Sequence, residues 1–150
     1  MAFRFSLDSI LRLRRSQEQL ERLKLEAIIW EQRQMRARLE GMIERSIESR
    51  RLFQQELAGG LTGSELQVQA MRHENTVLVR TSLEDHLLEL ERSRQAQILV
   101  FQKFRQRREI LENLRLRKLE AYAREQSRRE QQELDDLFLM RQEIARDETN

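Results

Sequence analysis

The two histidines, His73 and His86, are the first residues to weigh for chemistry. Paired metal ligands on a helix stand at i and i+4, on one face. These two are thirteen apart and fall on different faces of one helical stretch, so they read as surface or seam histidines. There is no cysteine, which removes thiolate metal sites, disulfides and thiol nucleophiles. Gly59-Gly60-Leu61-Thr62-Gly63-Ser64 has the glycines of a phosphate loop. It lacks the Gly-Lys-Ser/Thr ending that would reach the phosphates, and it reads as a turn. The 26 carboxylates are spread so evenly that no pair stands out for acid–base work. The reading is therefore a protein with no catalytic residue, no metal and no cofactor. A two-helix rod also offers none of the water-excluding pocket that catalysis needs.

Arginine is the one reactive-looking residue in excess. Arg105, Arg107 and Arg108 cluster, as do Arg115, Arg117 and Lys118, and Arg12, Arg14 and Arg15 form a third group. Such a segment could touch phosphates. Acidic residues alternate with the arginines almost throughout, however, and the formal net charge is only +2. A solvated coiled-coil face is the preferred reading, with no nucleic acid expected; a nucleic-acid-binding arm stays a rival. Arginine in place of lysine suits bidentate contacts to carboxylates, which fits a protein partner with acidic loops.

The elements that carry these residues follow from composition. Proline is absent, glycine occurs four times and charged residues make up 36% of the 150 residues. More than half of the chain is Ala, Glu, Lys, Leu or Arg, the signature of a long helix or coiled coil. A β-rich domain would need the missing turn residues. The longest apolar runs, 27–30, 98–101 and 137–140, have four residues, against about 20 for a membrane span. The first residues, Met1 to Phe5, lack the apolar stretch of a secretory signal.

The glycine cluster is the one clear breaker. The sequence predicts an all-α, long antiparallel two-helix coiled-coil hairpin: one domain over 1–150, with a helix about 6–58, a turn 59–64 and a helix about 64–146. Ser64 is the expected N-cap of the second helix, with Glu65 in its first turn. On the first helix the apolar positions Ile10, Leu13, Leu20, Leu23, Ala27 and Trp30 read as the seam. A phase shift then leads to Met35, Leu39, Met42, Ser46, Phe53 and Leu57. The second seam reads from Leu66 and Ala70 through Val77, Leu83, Leu87, Leu90, Ile98, Phe101, Phe104, Leu111, Leu114 and Leu119 to Tyr122.

A short link favours antiparallel neighbours, and folding about position 61.5 sets residue i opposite 123 − i. By that rule everything beyond about Lys118 has little partner. Arg124 to Glu133 contains no apolar side chain, a pattern of solvent-bridging helices. Leu134, Leu137, Phe138, Leu139, Met140 and Ile144 then form a patch without an intrachain partner. Such a patch usually marks an interaction site; a helix that bends back or packs on a second copy is the alternative.

Both ends resemble a known family. Phe3-Arg4-Phe5-Ser6-Leu7-Asp8-Ser9-Ile10-Leu11-Arg12-Leu13-Arg14 is similar to the opening of FliJ, the flagellar type III export protein. Leu111-Glu112-Asn113-Leu114-Arg115-Leu116-Arg117-Lys118-Leu119-Glu120-Ala121-Tyr122 resembles that family's late helix, as does Arg129-Glu130-Gln131-Gln132-Glu133-Leu134-Asp135-Asp136-Leu137. The resemblance implies a non-enzymatic stalk, cytoplasmic and peripheral at the inner membrane. Its partners would be the hexameric flagellar export ATPase, the cytoplasmic domain of the export gate and export chaperones. Membrane contact would come only through those partners, and the isolated chain would be a monomer.

Carried onto this sequence, the partner-binding residues would be Phe3, Phe5, Arg12 and Arg15 from one side. From the other they would be Tyr122, Arg129, Glu130, Gln131, Leu134 and Asp135, with Leu137 and Phe138 added by the unpartnered patch. Some family members use tyrosines near the hairpin for the gate. Here the counterpart positions fall near Met42, Arg45 and Ser49, so that contact does not transfer; His73 and Val77 are weak candidates. A related virulence-secretion stalk and a generic scaffolding arm are the remaining alternatives.

Overall fold

The computed structural model describes residues 3–147, with side chains described as far as Ile144. It holds two helices, α1 (Asp8–Gly59) and α2 (Gly63–Asp147), packed antiparallel as a hairpin. There is no strand among the described residues. Helix α1 runs straight through Gly41, a cost of about 1 kcal/mol against alanine that a helix of 52 residues carries.

The turn is tighter than its glycine content suggests. Helix α1 is closed by Gly60, the residue just after it, whose φ of 91° is the left-handed conformation that glycine takes most readily. Its N–H donates to Leu57 O at 3.2 Å. The N-cap of α2 is Thr62, not Ser64. Glu65 N–H donates to Thr62 Oγ1 at 3.4 Å, while the Thr62 N–H and hydroxyl both donate to Glu65 Oε2 at 2.7 Å. That is a reciprocal Thr-x-x-Glu capping box, which satisfies donors at both ends of the first turn. The two hydrogen bonds from Thr62 hold the Glu65 carboxyl below its ordinary value.

Two compact units share the helices. One comprises Glu18–Lys103 and contains the turn; the other comprises Met1–Gln17 with Phe104–Asn150. In the Glu18–Lys103 unit the buried face of α1 is Glu21, Leu25, Ile28, Gln32, Met35, Leu39, Met42, Ser46 and Phe53. These positions keep one unbroken heptad spacing, with no phase shift. Leu20, Leu23 and Trp30, expected in the seam, face outward, Trp30 with 64% of its surface exposed.

The reason for that difference is chemical. An apolar count favours the outward stripe, whereas the true seam carries polar residues that find partners. Gln32, only 3% exposed, donates from Nε2 to Glu91 Oε2 at 2.7 Å. Gln97 Nε2 likewise donates to Glu21, at 2.6 Å to its carboxylate and 3.2 Å to its carbonyl. A buried polar group is tolerated when it is hydrogen-bonded. Both carboxyls are held below their ordinary values. For Glu21 the causes are Lys24 and then Gln97; for Glu91 they are Gln32 and then Arg94. On α2, Leu83, Leu87, Leu90, Ile98 and Phe101 face inward as expected, but Leu66 and Val77 are exposed.

In the other unit the core is small. Leu11 is fully buried, Phe5 is buried, and Leu7, Phe104 and Leu111 are half-buried. Ile10 and Leu13, the expected seam residues, are exposed, as are Leu114 and Leu119.

Candidate functional site

The terminal unit gathers the first group of partner-binding candidates into one place. The backbone before α1 turns at Ser6–Leu7, with Asp8 N–H donating to Phe5 O at 3.2 Å. This turn sends Phe3 and Phe5 back toward α2. The Phe3 and Tyr122 rings lie 5.6 Å apart at 51°, within the range of favourable aromatic pairs. Lys118 Nζ sits 5.7 Å from the centre of the Phe5 ring, a cation–π contact. Phe5 is thus spent on the fold, while Phe3 and Tyr122 stay half-exposed at the end of the pairing.

The arginines at this end are anchored by carboxylates. Arg12 pairs with Asp8 at 3.4 Å along the helix, and Arg15 reaches across to Glu112 at 3.0 Å. Arg108 also pairs with Glu112. Partial burial works to raise the Glu112 carboxyl, and the hydrogen bond from Arg15 with the charge of Arg108 outweighs it, leaving it below the ordinary value. A shallow hollow of about 470 Å³ lies among Phe3, Arg4, Ser9, Arg12 and Arg115. Its lining carries three guanidinium groups against the one carboxylate of Asp8, so its net character is basic.

The second group of candidates is not gathered against α1. Among the described side chains of α2, Glu125 is the last charged one that is half-buried, held low by Arg129 and then by Arg128. From Ser127 to Ile144 every residue is exposed. Arg129 pairs with Glu125 at 3.1 Å and Gln131 Nε2 donates to Asp135 at 3.2 Å, both within the helix. Glu130, Leu134, Leu137 and Phe138 point to solvent, Phe138 with 62% of its surface exposed. The sequence rule placed the end of pairing near Lys118; the Phe3–Tyr122 contact carries it about one turn further.

Sequence reasoning missed one feature, in the Glu18–Lys103 unit. A groove of about 730 Å³ opens between α1 and α2 near the turn. Small seam residues, Ser46 and Ser49 on α1 with Ala70 and Thr76 on α2, leave space that larger side chains would fill. Met42, Arg45, Ser49 and His73, positions that the sequence resemblance compared with other members' gate contact, all line it; Val77 does not. The signal was present in the sequence as two serines at seam positions. His86 lies elsewhere in this unit, its Nε2 3.2 Å from Glu31 and its Nδ1 4.0 Å from Glu89. No group of three or more metal-ligating side chains occurs among the described residues.

A model of the flagellar FliJ protein family matches residues 3–147. The chain belongs to the FliJ family. It is a flagellar-export-type coiled-coil protein. The match takes in both ends that resembled that family in sequence, and the terminal segment with its exposed apolar patch. Comparison with curated proteins and with solved structures yields no match. No described helix is long and apolar enough to cross a membrane.

Proposed function

We propose that this FliJ-family chain is a non-enzymatic stalk of the flagellar export apparatus. It binds the hexameric export ATPase through its terminal unit, promotes assembly and activity of the ring, and links it to the export gate and export chaperones. It works in the cytoplasm, peripheral to the inner membrane through those partners. The observation that carries this reading is the run of α2 beyond Tyr122. It continues for more than twenty residues without a partner helix and ends in exposed Leu134, Leu137 and Phe138. An unpartnered apolar patch on an otherwise polar helix segment calls for a protein surface to cover it.

The chemistry of the end suits a ring lumen. Phe3 and Tyr122 offer half-exposed aromatic surface, the residue class that anchors interfaces. Arg12 and Arg15 are held in place by Asp8 and Glu112. Arg129, Glu130, Gln131 and Asp135 form a mixed-charge collar between the two apolar clusters. Exposed ion pairs contribute only about 0–1 kcal/mol each, so this collar would guide register without gripping. The test is a pull-down of the ATPase with the full chain and with Leu137→Asp/Phe138→Asp. Loss of binding with helicity intact supports the assignment. Undiminished binding removes the terminal segment from it.

A further inference from the structure

We infer that the groove near the turn is a docking site for the terminal α2 segment of a second copy of this chain. The inference rests on the groove and the segment themselves, independently of the ATPase reading.

The groove has an apolar floor and a basic rim. Phe53 and Leu66 provide apolar surface at its turn end, and Met42 and Val79 at the other. Arg45 and Arg50 stand on the α1 wall and Arg72 on the α2 wall, with no acidic residue among those lining it. None of the three arginines is ion-paired among the described residues; Arg45 turns its Nε back to Gly41 O at 3.1 Å. Their neighbour Arg51 is different, pairing with Glu48 at 2.9 Å. The occupant that this surface selects is a helix with an apolar stripe and acidic flanks.

The segment 133–138 of α2 has that form. Leu134, Leu137 and Phe138 stand at i, i+3 and i+4, the spacing of a helix laid in a groove. At about 100° per residue, Glu133 and Asp135 lie on opposite sides of that stripe. One would face the Arg45 and Arg50 wall and the other the Arg72 wall. Every residue of the segment is exposed, and neither Glu133 nor Asp135 is ion-paired among the described residues; Asp135 accepts a hydrogen bond from Gln131.

Groove and segment are different surfaces, so two copies can exchange them reciprocally about a two-fold axis, or the contact can extend head to tail into rings or open chains. The ion pairs would be exposed and weak, so association would be concentration-dependent and would decline with salt. The monomer expected from the sequence is then the dilute limit. Self-docking would also cover the apolar patch until an export partner displaced it.

Sedimentation velocity and light scattering on the full chain test this. The mean mass of the wild type should climb past 18.2 kDa with concentration, stopping at two copies for a reciprocal pair and going beyond two for a head-to-tail chain. Two variants are needed, Arg45→Glu/Arg72→Glu in the groove and Leu137→Asp/Phe138→Asp in the segment, each checked for helicity. Each alone should stay at the single-chain mass, with association weakened at least tenfold. An equimolar mixture should form pairs and stop there, since one good groove meets one good segment. Arg45→Gln/Arg72→Gln serves if the charge reversal disturbs folding. A wild type that stays at one copy throughout would overturn the inference. So would association that survives both variants, which would mark a two-fold contact elsewhere, or a mixture that stays unpaired.

Discussion

The Phe3 ring lies 5.6 Å from that of Tyr122, and from Ser127 to Ile144 helix α2 is exposed on all sides. This contact closes the paired part of the terminal unit. An aromatic pair contributes about 0.5–1.5 kcal/mol beyond its area, so Phe3→Ala should loosen the end without melting the rest. Hydrogen exchange should show faster exchange confined to the neighbourhood of residues 115–125, with the overall melting temperature nearly unchanged. A global loss of protection would mean that this contact holds more than the end.

The register of the seam makes a sharp comparison between near neighbours. Leu11 is fully buried and Leu13 is 55% exposed. Leu11→Ala should cost about 2–5 kcal/mol, whereas Leu13→Ala should stay within about 0.5 kcal/mol. Urea unfolding followed by circular dichroism reads both. Equal costs would contradict the register described above.

The cap at the turn predicts a smaller effect. Thr62→Ala removes the hydroxyl of the Thr62–Glu65 box and should destabilise by about 1 kcal/mol. Ser64→Ala should do less, because its hydroxyl makes only an exposed 3.2 Å hydrogen bond with that of Thr62 and none to the helix backbone. Denaturant midpoints of the two variants check this order, and the reverse order would place the cap at Ser64.

Acid should weaken the fold. Glu21, Glu91, Glu112 and Glu125 all have carboxyls held below the ordinary 4.5. A group lowered in the folded state contributes its stability above the unfolded value and loses it as pH falls through the folded value. The melting temperature should therefore be level from neutral pH to just above 4.5 and fall below it. Glu112→Gln should reduce the size of the fall. A melting temperature that rises on acidification would show that the arginine pairs contribute less than the repulsion relieved among the carboxylates.

How far the sequence revealed this molecule depends on which residues carried the signal. The two helices and their antiparallel pairing were legible, since glycine is concentrated at 59–63 and proline is absent. Gln32 bonds Glu91 and Lys118 covers Phe5, the partners the pairing rule assigns. The unpartnered terminal segment was legible for the same reason, because the rule leaves Leu134–Phe138 without an opposite number.

The seam of α1 was read correctly from Met35 to Phe53 but misread from Ile10 to Trp30, because its apolar residues were counted without asking which polar ones could be paired. Gln32 and Glu21 occupy core positions through hydrogen bonds that only the second helix can supply. Ser64 was expected as the cap because it directly precedes an acid; the reciprocal hydrogen bonds between Thr62 and Glu65 decide otherwise. The groove was hidden because Ser46 was placed in the seam without asking what stood opposite it, and Ala70 and Thr76 prove small as well.

The most direct test of the stalk reading is the hexamer fraction and ATP hydrolysis rate of the cognate export ATPase, with and without this chain. The account predicts more hexamer and faster turnover with the chain. It also predicts that Leu137→Asp/Phe138→Asp weakens the chain's hold on the ring about 30-fold, the size of a roughly 2 kcal/mol interface anchor. No binding and no change in turnover, under conditions where the ATPase is active, would contradict the stalk reading.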